Sequence, residues 1–585
     1  MLFRLVRGYL ARHRAWVAII LVFQLAQTLI GLSLPALNAK VIDEGIVAAD
    51  PGHIMRLGGL MMGAAALQLA LAGVAALWSS KLSMGLGREL RHRVYHAVLA
   101  FSPTELARFG AGTLVTRTTN DVMQIPMVIL FTLTMILSAP ITGVGSAILV
   151  VTMDPLLALI LIVAIPAVLG VVWVVMKRLV PLFELNQKRL DRLNQVIREQ
   201  LSGVRVIRAF VRQASEARRF DAANRDLMAT ALSTGFWFAV LQPLIQIIIA
   251  LAMAAVLYGG AHRIESGHLL IGQMTAFLSY LINVLAAIIM ASLFLILLPR
   301  AEVAAKRVHE VVSTVPAVTS PDEPVSLPAG PLGLRVSEVE ARYGEAARPV
   351  VSGVSFDLPP GGTLAVVGPT GAGKSSLARL LPRLIDPTAG TLTLYAGGVE
   401  VDVREADLTQ IRSRIALIPQ RPYLMRGTIA TNVSCLPESA VTPEVEQRVR
   451  RCLEAACALD FVDAYDDGIA HEVASGGSNL SGGQRQRLTI ARALYGAPDI
   501  LVCDDAFSAL DFSTEATVRR RIRELLPETS LVLIVQRLAT IRHAEDILVL
   551  DAGRVAGRGT HETLMSTCEV YRTLVSTQLR AEELQ

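Results

Sequence analysis

The sequence predicts an α-helical six-span transmembrane domain followed by an α/β domain in which strands and helices alternate. Three observations predict this fold class: an apolar composition, six long apolar runs, and a glycine-rich loop between a strand and a helix. Of 585 residues, 52% are hydrophobic and 18% are charged, whereas a typical soluble chain has about 25% charged residues. The composition therefore excludes a wholly soluble protein and a disordered one.

A helix needs about 20 apolar residues to span a bilayer. Six windows reach this length, at 15–39, 57–80, 122–153, 155–176, 227–261 and 269–299. Asp154 alone separates the third window from the fourth, which predicts a tight hairpin. Residues 185–220 have helical spacing and mixed charge, so we expect spans four and five to continue as helices beyond the membrane. The turn near Phe210 and Val211 is then expected to contact another cytoplasmic surface.

Basic residues predict the orientation, because cytoplasmic loops carry an excess of Lys and Arg. They are frequent before span one and in the long loops after spans two and four, but the other loops hold only Lys40, Arg56 and Arg263. Both termini and the long loops are therefore expected to be cytoplasmic. The bias explains the net charge of +5 without nucleic acid. Because almost all basic residues are Arg, as in GC-rich bacterial genomes, we expect the bacterial plasma (inner) membrane.

A stretch rich in Pro, Ser and Gly divides the chain. The predicted domains are the transmembrane domain at 1–312, a linker at 313–332, a nucleotide-binding domain at 333–579 and a C-terminal tail at 580–585. In the third, a short apolar strand at 364–367 precedes a GxxxxGK[ST] loop that opens a helix, which is the setting of a P-loop. The expected ATP-binding residues there are Gly368, Pro369, Thr370, Gly371, Ala372, Gly373, Lys374, Ser375 and Ser376.

The P-loop residue types fit phosphate and magnesium chemistry. Glycines let backbone N–H groups converge on phosphate oxygens, and Lys374 is expected to reach the β- and γ-phosphates. The hydroxyl of Ser375 is expected to bind Mg²⁺, together with Asp504 at the tip of a second apolar strand. The sequence thus predicts an α/β P-loop nucleotide-binding domain with ATP and Mg²⁺ as cofactors.

A pentapeptide about twenty residues before Asp504 is the most specific motif in the chain. It consists of Leu480, Ser481, Gly482, Gly483 and Gln484. With it, nearly the whole chain resembles the ATP-binding cassette (ABC) transporters, specifically half-transporters of exporter architecture (type IV). The resemblance implies an ATP-hydrolysing translocase in which this signature faces ATP held by a partner subunit.

The resemblance also assigns roles to other residues. It implies that Tyr343 stacks on adenine and that Gln420 contacts Mg²⁺ and senses the membrane domain. It identifies a D-loop at Ser508, Ala509, Leu510 and Asp511. Short coupling helices are implied near 104–112 and 209–214.

Two residues depart from the family pattern. Asp505 stands where the family has its hydrolytic Glu, and Gln536 stands where it has the switch His. Asp is one methylene shorter than Glu, and an amide side chain cannot carry a proton. Two changes in one site predict a degenerate site that binds ATP and hydrolyses it slowly. We therefore expect a heterodimer whose partner has Glu and His at these positions, as in bacterial multidrug or lipid transporters.

Two alternatives stay open for the function. One is a homodimeric exporter with slow hydrolysis based on Asp505. The other is an ATP-gated regulatory or channel-like subunit, although the chain has no visible regulatory insertion.

Polar residues within the spans suggest a cavity for the solute. The spans hold almost no ionisable groups, which favours a hydrophobic or amphipathic solute, drug-like or a lipid or fatty acid. The candidate cavity residues are Gln24, Gln27 and Thr28 in span one, Gln242 and Gln246 in span five, and Ser279, Tyr280 and Asn283 in span six. The alternative is that these side chains only form hydrogen bonds between helices.

Overall fold

The computed structural model describes residues 1–343, 348–537, 541, 542 and 544–582, and the side chains of all of these except 292, 293, 295–297 and 579–582. The chain divides into two compact units. The first comprises Met1–Ala97 and Gly112–Thr314, and the second comprises Val98–Ala111 and Val315–Gln585. Each unit has its own kind of core, and each is described by itself below.

Helices make up the first unit and the segment Val98–Ala111 of the second unit. Up to Ser313 the α-helices are α1 Leu2–Arg12, α2 Arg14–Lys40, α3 Pro51–Ala100, α4 Pro103–Phe109, α5 Ala111–Thr116, α6 Val122–Phe131, α7 Ser138–Met153, α8 Pro155–Ser202, α9 Val204–Ala209, α10 Gln213–Glu265 and α11 Ile271–Ser313. Three π-helical segments interrupt this series, at Val41–Ile46, Arg117–Asp121 and Thr132–Ile136.

Six helical stretches among the described residues are long and apolar enough to cross a membrane. They are Arg14–Ile46, Pro51–Ala100, Ala111–Met153, Pro155–Ser202, Gln213–Glu265 and Ile271–Ala291, named spans one to six here. The helices of spans four and five extend well past their apolar segments, as the pattern of 185–220 predicts. Only Asp154 lies between α7 and α8, and it caps α8 by accepting hydrogen bonds from the N–H groups of Leu156 and Leu157.

The turn between α8 and α10 differs from the sequence prediction. The short helix there is α9, Val204–Ala209, whereas the motif placed it near 209–214. The chain turns at 210–212 instead, where Val211 has a left-handed backbone with φ of 54°. A β-branched residue rarely adopts this conformation, so the sequence contained no signal for a turn at this place.

Strands and helices alternate in the second unit. The strands are β1 Gly333–Ala341, β2 Val351–Leu358, β3 Thr363–Val367, β4 Ala389–Ala396, β5 Val399–Asp402, β6 Ile415–Ile418, β7 Gly427–Thr428, β8 Glu472–Val473, β9 Ile500–Asp504, β10 Ser530–Ile534, β11 Asp546–Asp551 and β12 Arg554–Gly559. The helices are α12 Lys374–Leu380, α13 Leu408–Arg414, α14 Ile429–Ser434, α15 Pro443–Ala455, α16 Leu459–Val462, α17 Gly482–Tyr495, α18 Phe512–Leu525, α19 His561–Thr567 and α20 Glu569–Glu582.

The central sheet has six strands in the order β12-β11-β3-β10-β9-β6. All neighbours pair in parallel except β12, which runs antiparallel to β11 at one edge. Alternate residues of β3 enter two separate cores, since Ala365 and Val367 pack on one face and Leu364 and Val366 on the other. A parallel sheet covered on both faces is the expected α/β arrangement, and with the six spans it confirms the predicted fold class.

The C-terminal segment is helical as far as it is described. The predicted tail at 580–585 begins within α20, which ends at Glu582. Residues 583–585 lie outside the described residues.

Candidate functional site

One edge of the central sheet gathers the predicted nucleotide-binding residues. The parallel strands β3, β10 and β9 are neighbours, so the loops that follow them leave from the same edge. The P-loop follows β3, Gln536 follows β10, and Asp504 and Asp505 stand at the end of β9. A cavity of about 320 Å³ opens there, lined by Val350, Thr370, Gly371, Ala372, Gly373, Lys374, Ser375, Ser376, Gln420, Asp504, Asp505, Ile534 and Gln536.

Glycines give the P-loop its shape. Gly371 and Gly373 have φ values of 84° and 96°, in the left-handed region that favours glycine. A Cβ added at Gly373 would lie 2.5 Å from the carbonyl oxygen of Val350, so only glycine fits there. The loop leads directly into α12, and a helix N-terminus favours a bound phosphate.

Lys374 folds back over this loop. Its Nζ donates to the carbonyl oxygens of Gly368 (2.8 Å) and Pro369 (2.9 Å). Burial lowers the pKa of this ammonium, against the attraction of Asp504 and Asp505. A cation held in a partly dehydrated position interacts strongly with an incoming phosphate.

Ser375 and Asp504 form the pair that fits Mg²⁺. The Ser375 hydroxyl donates to Asp504 Oδ1 at 3.1 Å. Burial raises the pKa of Asp504, and the neighbouring Asp505 raises it further, while the bond from Ser375 opposes the rise. Hydroxyl and carboxylate oxygens are the donors that Mg²⁺ prefers. Together with the phosphate cradle, these residues fit a magnesium nucleotide.

Asp505 is held by two amides. Its Oδ2 accepts hydrogen bonds from Nε2 of Gln420 (3.2 Å) and Nε2 of Gln536 (3.0 Å). Its backbone has φ of 52°, and its N–H donates to the carbonyl of Ile534. Burial raises the pKa of this carboxyl against the bond from Gln420. Thus the three side chains that the sequence assigned to hydrolysis and metal sensing meet at one oxygen atom.

Tyr343 lies beside the loop rather than in the cavity lining. Its hydroxyl donates to Ser376 Oγ at 3.2 Å and accepts from Arg379 at 3.4 Å. The ring therefore stands next to the start of α12. Its stacking on adenine stays a prediction.

The signature segment lies away from this cavity. Ser481 is the N-cap of α17 and forms a capping box with Gln484, since each side chain accepts from the other residue's N–H. Leu480 is buried, and Arg485 donates to its carbonyl oxygen at 2.6 Å. Leu480, Ser481, Gly482, Gly483 and Gln484 are absent from the described cavity lining.

The D-loop lies beside the signature. A Cβ added at Gly483 would stand 3.4 Å from the carbonyl oxygen of Ala509. Ser508 Oγ donates to the carbonyl oxygen of Asp505 at 2.9 Å, and Leu510 is buried. Asp511 caps α18. The D-loop thus connects the main chain at Asp505 with the signature helix.

A short helix, α4 Pro103–Phe109, lies close to the position expected for the first coupling helix, near 104–112. Ser102 and Glu105 form its capping box. The other carboxylate oxygen of Glu105 accepts from the N–H of Ala317 at 3.3 Å. This helix is anchored within the second unit.

A polar cavity of about 220 Å³ lies within the first unit. Its lining residues are Gln27, Thr28, Gly31, Leu32, Gln68, Ser138, Thr142 and Asn283. Of the predicted cavity residues, Gln27, Thr28 and Asn283 line it. Gln24 and Tyr280 are buried behind it, where their side chains donate to main-chain carbonyl oxygens.

The remaining predicted cavity residues lie elsewhere. Gln242 and Gln246 are exposed on span five of this chain. Ser279 Oγ donates to the carbonyl of Thr275 in its own helix. Sequence reasoning missed Gln68, Ser138 and Thr142, although Gln68 is a lone amide in the apolar run 57–80 and was a usable signal.

Comparison with known proteins extends over the whole chain. Residues 17–288 match the family model described as the ABC transporter transmembrane region, and residues 351–508 match the model described as ABC transporter. An "Uncharacterized ABC transporter ATP-binding protein" of Mycobacterium tuberculosis is 40% identical over 581 residues, which cover 99% of this chain and 98% of that protein.

Two further relatives have names that state an activity. The "ATP-dependent lipid A-core flippase" of Chromobacterium violaceum is 31% identical over 99% of this chain and 97% of its own length. The "Multidrug efflux ATP-binding/permease protein" of Mycobacterium bovis is 31% identical over 97% of this chain and 47% of its own length.

Among solved structures, a bacterial Atm1-family ABC exporter with ATP bound shares the fold. The TM-score is 0.78 at 23% identity, with 97% of this chain and 98% of that chain covered.

Proposed function

This chain belongs to the ABC transporter family, and we propose that it is the degenerate-site half of a heterodimeric, ATP-driven transporter for a hydrophobic or amphipathic solute. It is a multi-pass membrane protein with an ABC ATPase domain. The main support for a degenerate site is the pair of hydrogen bonds that Asp505 Oδ2 accepts from two side-chain amides.

The chain's own residues fit the binding of a magnesium nucleotide. Lys374 and the N–H groups of the P-loop would hold the phosphates, and Ser375, Asp504 and Gln420 would hold Mg²⁺. When bound, the nucleotide supplies the free energy of phosphoryl transfer. Tyr343 is proposed to stack on adenine, from its position beside α12.

The residues around Asp505 support slow hydrolysis. A general base must lie within hydrogen-bond reach of its water, about 2.6–3.2 Å. The Asp505 side chain is shorter than that of Glu, and two amide N–H groups already bond to one of its oxygens. Gln536 donates one of these bonds, and its amide cannot take up or release a proton.

The signature supports a second subunit. Ser481 and Gln484 form a well-capped helix start, and the segment does not line the described cavity of its own chain. We propose that it completes the ATP site of a partner. A heterodimer gives this intact signature to a site with Glu and His, whereas a homodimer joins two sites that both lack them.

The solute class rests on the relatives' names and on the spans. One relative is named a lipid A-core flippase and another a multidrug efflux protein, so we propose a lipid or a drug-like compound for this chain. The distribution of Arg and Lys supports a bacterial inner-membrane location with both termini and the nucleotide-binding domain in the cytoplasm.

A homodimeric exporter with slow hydrolysis is the second candidate. The observation in its favour is that Asp505 keeps a carboxylate in the same cavity as Lys374 and Gln420. In that case Asp505 itself would orient the attacking water, at low rate.

Co-expression with a second half-transporter and an ATPase assay in lipid nanodiscs test the proposal. We expect this chain to co-purify with the partner and Asp505→Asn to leave most ATPase activity. Replacing the partner's hydrolytic Glu should abolish the activity. Lys374→Ala is the control for loss of nucleotide binding at this chain's site. Full turnover by the chain alone, lost in Asp505→Asn, would overturn the heterodimer and favour the second candidate.

A further inference from the structure

The polar cavity of the first unit lies where four spans meet. Span one contributes Gln27 and Thr28, span two contributes Gln68, span three contributes Ser138 and Thr142, and span six contributes Asn283. Each of these side chains is an amide or a hydroxyl. The described lining contains no ionisable side chain.

One group of buried polar residues serves to join the helices. Gln24 Nε2 donates to the carbonyl oxygens of Leu133 (3.0 Å) and Thr134 (2.9 Å), and Gln27 Nε2 donates to Gln24 Oε1 (2.6 Å). Leu133 and Thr134 belong to the π-helical segment Thr132–Ile136. A π-helical turn leaves carbonyl groups without their usual α-helical partners, and such turns are frequent at functional sites. These bonds attach span one to span three beside the cavity.

A second group has unused hydrogen-bonding capacity. Within the described residues, the side chains of Gln68, Thr142 and Asn283 make no hydrogen bond to protein, although all three line the cavity. Lipid chains offer no hydrogen-bonding partner, so polar groups within apolar spans pair with protein or line a polar cavity. Interhelical bonding therefore explains Gln24 and Tyr280 but does not explain these three residues.

Gly31 makes room for one of them. A Cβ added at Gly31 would lie 2.7 Å from Nε2 of Gln68. Any larger residue would push this amide away from span one. The close approach of spans one and two thus keeps the Gln68 amide at the cavity wall.

The size and chemistry of the cavity define its ligand. Amides and hydroxyls both donate and accept hydrogen bonds, and they suit a neutral polar group better than an ion, which would need a countercharge in this environment. The volume of about 220 Å³ is below the range of about 300–1,000 Å³ typical of sites for drug-sized ligands. It fits one polar group of a larger molecule.

We propose that this cavity binds the uncharged, hydroxyl- or amide-rich headgroup of an amphiphile, with Gln68, Thr142 and Asn283 as its hydrogen-bonding partners. The inference rests on the proposed function and adds a substrate class to it: amphiphiles whose headgroup is neutral and polar.

A cysteine-protection assay tests the binding without ATP. All five natural cysteines lie between residues 435 and 568, so Ser138→Cys places a single thiol in the spans. Alkylation of this thiol by N-ethylmaleimide is followed by peptide mass spectrometry of the full chain in phosphatidylcholine nanodiscs. The probes are octyl glucoside below its micellar concentration, octyltrimethylammonium, octyl sulfate and free glucose, at equal concentrations.

At equal, sub-saturating concentrations we expect octyl glucoside to protect the thiol about 5-fold better than the ionic amphiphiles, because one net hydrogen bond changes an affinity by about 5-fold. The two ionic amphiphiles with the same tail and free glucose should give little protection. Equal protection by all three amphiphiles would overturn the proposal, because it would show recognition of the tail alone. Protection by glucose alone would overturn the requirement for an amphiphile.

Amide and hydroxyl variants identify the residues responsible. In the Ser138→Cys background, Gln68→Leu and Thr142→Val should each abolish most of the protection. The matched control is Gln124→Leu, which removes an exposed amide of span three outside the cavity lining and should leave protection unchanged. Unchanged protection in both cavity variants, or an equal loss in the control, would refute the assignment. Thr142→Val keeps the side-chain shape, so it remains informative if Gln68→Leu does not fold.

Failure of the proposed headgroup site can be distinguished from failure of the proposed transport function. Protection by octyl glucoside without any effect on ATPase activity or transport by the co-purified heterodimer would uphold the binding site and refute the solute-driven cycle. ATPase stimulation by octyl glucoside without protection of Ser138→Cys would refute the cavity and leave the transporter proposal intact.

Discussion

Lengthening the carboxylate at position 505 should increase ATP hydrolysis. In the Asp505→Glu variant the carboxyl group moves outward by one C–C bond, about 1.5 Å. Asp505 Oδ2 is now bonded to Gln420 Nε2 and Gln536 Nε2 at 3.2 and 3.0 Å. The longer side chain restores the length of the Glu that the family pattern has at this position.

The magnitude follows from the displacement. A misplacement of about 1 Å in a catalytic group costs about 10²-fold in rate, and a positioned general base contributes about 10²–10⁴-fold. We therefore expect Asp505→Glu to raise kcat of the purified chain by about 10- to 100-fold. Gln536→His alone should change it little, because the shorter carboxylate remains. The double variant should exceed the product of the two single effects, since the two positions share a hydrogen bond.

Steady-state ATPase measurements in lipid nanodiscs decide this prediction. Each variant is measured at saturating ATP and Mg²⁺, and Lys374→Ala gives the background rate. If the chain as it stands hydrolyses ATP rapidly, Asp505→Glu leaves the rate unchanged and Asp505→Asn abolishes it, then Asp505 is a competent base. The degenerate-site reasoning would then be wrong.

Two further predictions concern stability and thiol reactivity. Asp154 is fully buried, and its Oδ2 accepts a hydrogen bond from Arg263 Nε at 2.7 Å. The Asp154→Asn variant keeps an oxygen that can cap α8 but removes the charge paired with Arg263. It should lower the free energy of unfolding by about 3 kcal/mol, at the low end for a broken buried pair, because Arg263 is 29% exposed. Burial opposes ionisation of Asp154, but the hydrogen bonds from Arg263 and from the N–H groups of Leu157 and Leu156 outweigh it and lower the pKa of this carboxyl. The difference in melting temperature between the natural chain and Asp154→Asn should therefore stay constant from about pH 8 to about pH 5. It should shrink only as the pH falls below the ordinary Asp pKa of about 3.9. With iodoacetamide at pH 8, the exposed thiol of Cys435 should react first. Cys452 and Cys503 should stay unmodified until the protein unfolds, since burial raises their pKa values to about 11 and about 12. Early alkylation of Cys503, detected by mass spectrometry, would contradict its burial in β9.

The nucleotide site was predictable because most of it is local. The P-loop needs only a strand, eight residues and a helix in succession, and all of these are contiguous in the sequence. Asp504 and Gln536 were predictable because Asp504 ends one fully buried strand of the sheet and Gln536 follows another. The order of these strands depends on long-range pairing, so the sequence did not predict that Gln420 and Gln536 would meet at one oxygen of Asp505.

The short helix between α8 and α10 has different bounds from those expected for the second coupling helix. The motif placed it near 209–214, but the helix is Val204–Ala209 and the turn follows at 210–212. Turns are predicted from Gly, Asn, Asp and Pro, which adopt the required backbone conformations at low cost. Here Val211 takes the left-handed conformation, so the local sequence favoured a longer helix than the fold contains.

Helical periodicity explains which of the predicted membrane-cavity residues lie together and which do not. It predicts which residues share a face, and Gln24, Gln27 and Thr28 do act together. It does not predict which helix that face meets. Gln242 and Gln246 also share a face, but in this chain that face is exposed. The position of Gln68 depends on the close contact with Gly31, which only the packed spans reveal.

Two surfaces of the chain support the proposed second subunit. The signature helix begins with a capping box that holds Ser481 in a fixed conformation, yet this segment is not part of the described nucleotide cavity of its own chain. At the turn after α9, Phe210 and Val211 are 72% and 80% exposed. Burial of these apolar side chains against another surface would be stabilising. A homodimer would cover both surfaces but would pair two sites with Asp505 and Gln536. The proposed heterodimer would cover both and would also give the signature a partner site with a full-length carboxylate.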